Sequence, residues 1–497
     1  MGQVVTQVAL SVLCVKDEDV TREMQNGPVM TPTVRDADQT AVEDLRETLR
    51  GTLIRPTDED YDEARGVWNG MIDRHPALIV QCSGTADVIV AVNFAREYDL
   101  EIAVRGGGHN VAGTAVCDDG IVIDLSAMRA VWIDPPARTA RVQGGALWGD
   151  VDHEAQAHGL ATPGGIVSHT GVAGLTLGGG IGWLMRKHGL TVDNLLSADM
   201  VTADGKFIRA SEDEHSDLFW ALRGGGGNFG IVTSFEFALH PVGPTVLAGP
   251  VFWAADDTAA ALRFYRDFVQ DAPDELGTVV RLGTIPPLSV VPEELHWRPA
   301  VAINACYTGP VEEGESVLRP LREHGTPLLD LVSPKRYVAH QSGLDSTVLH
   351  GWHYYWKSTD LPELSDDLIE VLVDHAFSTK SPRSYAVLFH LGGAVSRVPG
   401  DATAYASRNA PHNININGVW RPDEDFAESE TTWARRFFDA LEPYREGVYV
   451  NFLDVGDDTR RVREAYDERT YQRLAEIKAE YDPDNVFHLN QNIEPAG

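Results

Sequence analysis

The chain has 497 residues, well beyond the ~150 of a usual domain, so two or three packed units are expected and a single small core is excluded. Hydrophobic residues make up 43 % and charged residues 23 %, with 46 Gly, 27 Pro and 11 Trp, a composition that folds and is neither disordered nor collagenous. With 41 basic and 74 acidic residues the net charge is −33, a field that repels phosphate backbones and anionic lipid heads and so argues against nucleic acid and membrane partners.

Only seven of the basic residues are Lys, and acidic clusters such as Asp58-Glu59-Asp60 and Asp423-Glu424-Asp425 are spread along the chain. Such a coat fits a halophilic protein, because concentrated salt screens its self-repulsion. Cys14, Cys82, Cys117 and Cys306 show no CxxC spacing, so neither a metal site nor a disulfide framework is expected. The apolar patch at 4–15 has no basic flank and is too short to span a bilayer, which predicts a soluble, cytoplasmic protein with residues 1–45 as an N-terminal extension.

In chain order, apolar runs at 77–82 and 101–104 flank a helical pattern at 88–95, a strand-helix-strand unit. Strands are predicted at 120–125 and 140–142, then an amphipathic helix at 146–158. A Gly-dense segment at 164–182 follows. Beyond Pro241-Val242-Gly243-Pro244, helical stretches at 258–269, 312–322, 366–376 and 430–441 alternate with extended ones at 301–307, 352–358, 385–394 and 447–453. That rhythm predicts a sheet covered by helices on one side and open to a ligand on the other. A charged helix at 458–480 ends the chain before Tyr481-Asp482-Pro483 and the tail Asn490-Gln491-Asn492.

Three glycine-rich segments carry the chemistry. Arg105-Gly106-Gly107-Gly108-His109-Asn110 follows a predicted strand, where backbone N–H groups can converge on an anion such as a pyrophosphate. It is not a GxGxxG fingerprint, since no helix opens after it. A tight turn with a surface histidine is the plainer alternative for this segment alone. The second segment sets Gly164, Gly165, Gly171, Gly174, Gly178, Gly179, Gly180 and Gly182 within nineteen residues, more than structural turns require. The third runs from Arg223 through Asn228 to Gly230 and precedes Ile231 and Val232. Three such loops in one half of a chain point to one extended cofactor.

The runs 105–110, 170–184, 189–194 and 481–493 together resemble the vanillyl-alcohol oxidase / p-cresol methylhydroxylase (PCMH) superfamily of FAD enzymes. Within it, the chain is most similar to the berberine bridge enzyme-like branch, with its 6-hydroxynicotine and oligosaccharide oxidases. The resemblance spans about 45–240 and 445–495. It implies an α+β, two-domain fold: a PCMH-type FAD-binding domain at 46–243, completed by a C-terminal segment at 455–497, and a substrate-binding domain at 244–454 with an antiparallel sheet covered by helices. It also implies FAD bonded through its 8α-methyl carbon to His109. A second link from cysteine would fall at Val167, which has no thiol, so a single link is expected; Cys117 reads as a buried small hydrophobe.

The resemblance further places Arg105 to Asn110, Thr170, Gly171, Gly174, Leu175, Gly178 to Gly180, Gly182, Asn194, Asn228, Gly230, Ile231, Val232, Asn490 and Asn492 around the cofactor. Without it, the two tail asparagines would read as a turn cap. Thr170 stands where oxidases of the family carry small β-branched residues, which favours dioxygen as the electron acceptor. Tyr449-Val450-Asn451-Phe452 resembles a Tyr-x-Asn-Tyr strand whose second tyrosine accepts a proton, and that tyrosine is here Phe452. Strand alternation groups His353 with Tyr355 and Lys357, Leu388 with His390, and Asn413 with Asn415 and Asn417. His390, Tyr449 and Asn451 are the catalytic candidates. The expected activity is hydride transfer from a CH–OH, or less readily a CH–NH, group of an alcohol, sugar or amine to FAD, with dioxygen reduced to peroxide. A dehydrogenase and a catalytically idle flavoprotein are the alternatives.

Overall fold

The computed structural model describes residues 39–454, 456–457 and 459–497; the patch at 4–15 and Cys14 lie outside them. The first sheet contains β1 (Thr52–Ile54), β2 (Leu78–Gln81), β3 (Ile102–Arg105) and β4 (Ile121–Asp124), in the order β1-β2-β4-β3. β2, β4 and β3 run parallel and β1 pairs antiparallel with β2. A parallel sheet is buried on both faces, which explains its unbroken apolar runs. Leu78, Val80, Ile121 and Ile123 pack with the helix Thr85–Glu97, and Ile79, Ala103 and Val122 join Tyr61 and Cys117 on the opposite face. The helix Gln39–Thr48 buries Val42 and Leu45 in the same core, so folded structure begins inside the stretch expected to be an extension.

The second sheet collects β5 (Val131–Asp134), β6 (Thr139–Gln143), β8 (Leu195–Val201), β9 (Phe207–Ser211) and β10 (Ile231–Ala238), in the antiparallel order β5-β6-β10-β8-β9. β7 (Leu160–Ala161) and β11 (His240–Pro241) form a separate two-stranded antiparallel pair.

The third sheet has eight strands, all antiparallel: β12 (Thr245–Ala254), β13 (Leu276–Thr284), β14 (Pro299–Tyr307), β15 (Leu329–Asp330), β16 (Ser333–Arg336), β17 (His353–Leu361), β18 (Tyr385–His390) and β19 (His412–Trp420). Its order is β15-β12-β14-β13-β18-β19-β17, with β16 also on β12. Period-two alternation divides its side chains. Ala386 and Leu388 pack with the helices Thr258–Gln270, Asp366–Ala376 and Ala427–Ala440, while Val387 and Phe389 turn toward the glycine-rich half.

Two expectations change. Residues 447–453 do not extend: Phe452 N–H donates to Tyr449 O and Leu453 N–H to Val450 O, which winds Val450–Phe452 into a 3-10 turn. The helix expected over 458–480 is two, Thr459–Glu464 and Glu468–Tyr481, because the Asp467 carboxylate caps a new start by accepting from Thr470 N–H. The second returns to the first half of the chain, packing on the helix Ser216–Leu222 and burying Leu474 and Ile477 in the core that β8 and β10 share.

Its end is locked by chemistry. Lys478 and Asp482, both buried, pair at 2.6 Å. Lys478 also donates to Asn228 O and Phe487 O, and Asp482 accepts from Val486 and Phe487 N–H. The Tyr481-Asp482-Pro483 run thus clasps the tail to the third glycine loop.

Candidate active site

The RGGGH loop leaves the carboxyl end of β3, where Arg105 anchors it from behind. The Arg105 guanidinium donates to Asp124 Oδ2 at 2.6 Å and to the carbonyls of Ala64 and Gly66. Gly107 and Gly171 let two loops cross at backbone contact: a Cβ on Gly107 would stand 2.4 Å from Gly171 Cα. No side chain fits at that crossing.

His109 is held at both ends. Its ring stacks on Trp68 at 4.3 Å between centroids, and its Nε2 lies 3.1 Å from His169 Nδ1. Burial, then the neighbouring His169 and His350, push its pKa well below the usual 6.5, so the imidazole stays neutral and nucleophilic at ordinary pH. Ser168 in turn binds the Asp345 carboxylate through its N–H and Oγ, fixing the segment that carries His169.

A cavity of about 310 Å³ opens between the glycine loops and the third sheet. One wall is backbone: Gly106 to Gly108, Thr170, Gly171, Gly174, Gly227 and Gly230, followed by Ile231 and Val232. The other wall is side chain: Trp356, Tyr385, Val387, Phe389, Asn415, Asn417 and Phe452. Among the described residues none of the lining side chains is Asp, Glu, Lys or Arg.

Most residues expected around a cofactor meet here: Gly106, Gly107, Gly108, His109, Asn110, Thr170, Gly171, Gly174, Leu175, Gly230, Ile231, Val232 and Asn490 line the cavity, as do Tyr449 and Asn451. Others act behind it. Gly180 N–H donates to Tyr449 Oη at 2.9 Å, and Asn451 Nδ2 donates to the same oxygen and to Leu175 O, so Tyr449 and Asn451 brace the second glycine segment. A Cβ at Gly178 would strike Asn451, one at Gly179 Tyr405 and one at Gly182 the carbonyl of Gly164, so these glycines serve packing. Asn194 donates to His188 O and Leu190 O, and Asn228 ties Gly225, Gln491 and Ile493 together. Asn492 is not in the lining.

His390 requires a correction. It shares a face of β18 with Leu388, the face under the helices, whereas Phe389 faces the cavity. Its Nε2 meets the Arg186 guanidinium at 3.1 Å, and burial with that charge pushes its pKa down to about 2. It cannot reach a molecule in the cavity. His353, Tyr355 and Lys357 likewise lie on the face of β17 opposite Trp356, and Lys357 pairs with Asp457 at 2.7 Å. The residues not foreseen are Trp68, His169, Trp356 and Tyr385. His169 was within reach, since it sits two positions before Gly171 in the Gly-dense segment.

The geometry suits FAD. Gly174 and Gly227 line the cavity with nothing within 4 Å of where a Cβ would stand, which is room kept for a bound group. Asn490 Oδ1, on a residue that lines the cavity, is buried with no partner among the described residues, as an acceptor beside a polar ligand edge would be. Cys82, Cys117 and Cys306 are buried away from the cavity, and burial pushes the Cys117 thiol up to about 12.

Comparison with known proteins agrees with that class of fold and site. Residues 76–211 match the FAD-binding domain model and residues 448–494 the berberine and berberine-like model. An FAD-linked oxidoreductase of Dictyostelium discoideum is 34 % identical over 91 % of this chain and 97 % of its own. (R)-6-hydroxynicotine oxidase of Paenarthrobacter nicotinovorans is 31 % identical over 90 % and 98 %. The solved 6-hydroxy-D-nicotine oxidase of Arthrobacter nicotinovorans superposes with a TM-score of 0.81 at 30 % identity, over 90 % of this chain and 98 % of that one. Glucooligosaccharide oxidase of Acremonium strictum, a 6-S-cysteinyl, 8α-N1-histidyl FAD protein, superposes at 0.81 with 25 % identity, covering 92 % and 100 %. The chain belongs to the berberine bridge enzyme-like family of FAD-linked oxidoreductases, with the PCMH-type fold. No described helix is long and apolar enough to cross a membrane.

Proposed function

We propose that this protein is an oxidase that holds FAD through one covalent bond, on His109, and oxidises a small neutral substrate at a CH–NH or CH–OH group. The observation that carries this reading is the neutral, doubly braced His109 in the lining of a cavity with one backbone wall and one side-chain wall. With Nε2 engaged by His169, the bond to the flavin falls to Nδ1. Val167, which lines the cavity, offers no sulfur for a second bond. FAD, held by His109 and the glycine loops, would supply a two-electron acceptor for substrate hydride and a route for those electrons to dioxygen, giving hydrogen peroxide.

The protein's part is orientation and exclusion of water. Trp356, Val387, Phe389 and Phe452 shape a dry face against which a substrate carbon is held. Proton removal is harder to supply there. Burial pushes Tyr449 up to about 12, and although Arg281 beside Tyr385 opposes the effect of burial, Tyr385 is also raised. Both phenols stay protonated near neutrality. A neutral amine, which can lose hydride without prior deprotonation by a base, therefore suits the cavity better than an alcohol.

Anaerobic mixing with secondary cyclic amines should bleach the flavin, and air should restore its colour with peroxide released. Bleaching by alcohols or sugars alone would overturn the amine preference. Colour that returns only with an added dye would make the protein a dehydrogenase.

A further inference from the structure

Behind the second glycine segment lies a buried carboxyl that pairs with no cation among the described residues. The helix Trp148–Gln156 of the glycine-rich half packs on the helix Tyr337–Gln341, which follows β16 of the third sheet. At their contact Asp152 is 3 % exposed and Gln341 1 %. Gln341 Nε2 donates to Asp152 Oδ2 at 2.9 Å and to Gly165 O at 3.1 Å. Two acceptors fix which end of that amide is nitrogen. The other end, Oε1, is buried with no partner among the described residues.

A buried carboxylate with one neutral donor is costly, whereas a carboxylic acid carries no charge and has a hydrogen to give. Gln341 Oε1 is an acceptor waiting for one, on the same amide that already donates to Asp152. An acid and an amide each hold a donor and an acceptor side by side, so they can close a ring of two hydrogen bonds. Burial, then the Asp345 charge, push the Asp152 pKa up to about 7 against the Gln341 hydrogen bond. The other groups around it supply no counter-charge. Tyr337 is a buried phenol raised further, and His340, against Trp183 at 4.4 Å, is pushed down to about 3. Lys335 of β16 acts on Cys306 and His340, Asp150 is held by Arg129, His153 pairs with Glu154, and Asp134 of β5 is exposed.

The pair bears on the cavity through Gly165. The stretch from Gly165 to Thr170 is gripped at its start by Gln341 and at Ser168 by Asp345, and it carries the lining residues Gly165, Ile166, Val167 and Thr170 as well as His169. We propose that Asp152 and Gln341 form a pH-sensitive latch on that stretch: a neutral acid and an amide joined by two hydrogen bonds, which opens when the acid ionises and loosens the loop wall of the cavity. The latch needs no substrate, so it stands or falls apart from the oxidase reading.

Infrared titration of the flavin-loaded protein should show a protonated-carboxyl band that survives to about pH 6.5 and vanishes with a midpoint near 7. An Asp152→Asn protein, whose amide keeps a donor beside an acceptor, should fold, stay yellow and lack that component. It should retain the band of Asp360, the other carboxyl that burial raises, to about 6. Visible circular dichroism of the bound flavin should shift over the same pH range in the wild type and stay constant in the variant. In urea, the folding equilibrium constant of the wild type relative to the variant should fall about tenfold per pH unit between about pH 5 and 6.5, where only the folded state holds the proton. A wild type with no protonated carboxyl left at about pH 6.5 would overturn the latch whether or not the variant folds. So would a band or a flavin shift that persists unchanged in Asp152→Asn, or a band that titrates with no change in the flavin signal. An Asp152→Asn protein that fails to fold rejects it too, because the amide reproduces the neutral pair.

Discussion

The two walls of the cavity are built from different materials. The loop wall is main chain, with Gly107 and Gly171 crossing at contact distance and Gly174 and Gly227 leaving open room. It offers N–H groups and space, which serve a cofactor whatever the substrate. The sheet wall is all side chain, and its polar content is Asn415, Asn417, the Tyr385 hydroxyl and the indole of Trp356. Such a wall can change from one relative to the next by substitution without disturbing a strand ladder, because the ladder is made by the backbone. Cofactor attachment and substrate choice are therefore separable here, and variants can be sorted by which wall they damage.

The largest separation should come from the loop wall. His109→Ala should abolish flavin that survives acid precipitation, while circular dichroism stays that of the folded protein. His169→Ala should lower the covalent fraction without removing His109, because the ring loses the contact that orients it. Wild-type levels of covalent flavin in both variants would break the assignment of the link.

A smaller effect belongs to the clasp behind that wall. Lys478→Met leaves Asp482 as a buried carboxylate with two backbone N–H donors but no cation. Removing one partner of a buried pair costs about 3–5 kcal/mol. Urea unfolding of the flavin-loaded protein should show that loss, together with easier proteolysis of the tail from 482 onward. A loss under about 1 kcal/mol would mean that the carboxylate is adequately served by the backbone.

How much of this was legible follows the same division. Glycine runs report backbone demands directly, so three glycine loops around one ligand could be read from residues, whereas the tail motif was placed by the family resemblance, its asparagines alone reading as a turn cap. Alternation along β17, β18 and β19 was legible too, but not which face meets the cavity. On β18 both faces are buried, Ala386 and Leu388 under helices and Val387 and Phe389 over the cavity. Hydrophobicity then carries no sign, and His390 fell on the wrong side. Tyr449 and Asn451, expected to be catalytic, line the cavity and brace the second glycine segment from a turn rather than a strand. Trp68 left no signal, because it joins the site through ring contacts made across the fold, with His109, Tyr354 and Trp356.

The smallest predicted effect tests that assignment of faces. Facing the helices, His390 accepts from Arg186 in a buried, electropositive place and has its pKa pushed down to about 2. An unfolded chain protonates the same ring near 6.5. Between those values the unfolded state binds one more proton than the folded one, so stability is full above 6.5 and falls as the pH drops. The slope is about 1.4 kcal/mol per pH unit for this one group. His390→Gln keeps an acceptor for Arg186 but cannot titrate, so the decline in unfolding free energy from pH 6.5 to 4.5 should become shallower by about that amount per unit. His412, pushed down to about 4 beside it, continues to contribute its own share in the variant. Flavin reduction by substrate should be unchanged in rate, since the ring never meets the cavity. A His390→Gln protein with the wild-type acid slope and slowed flavin reduction would put the ring back over the cavity and reverse the two faces of β18.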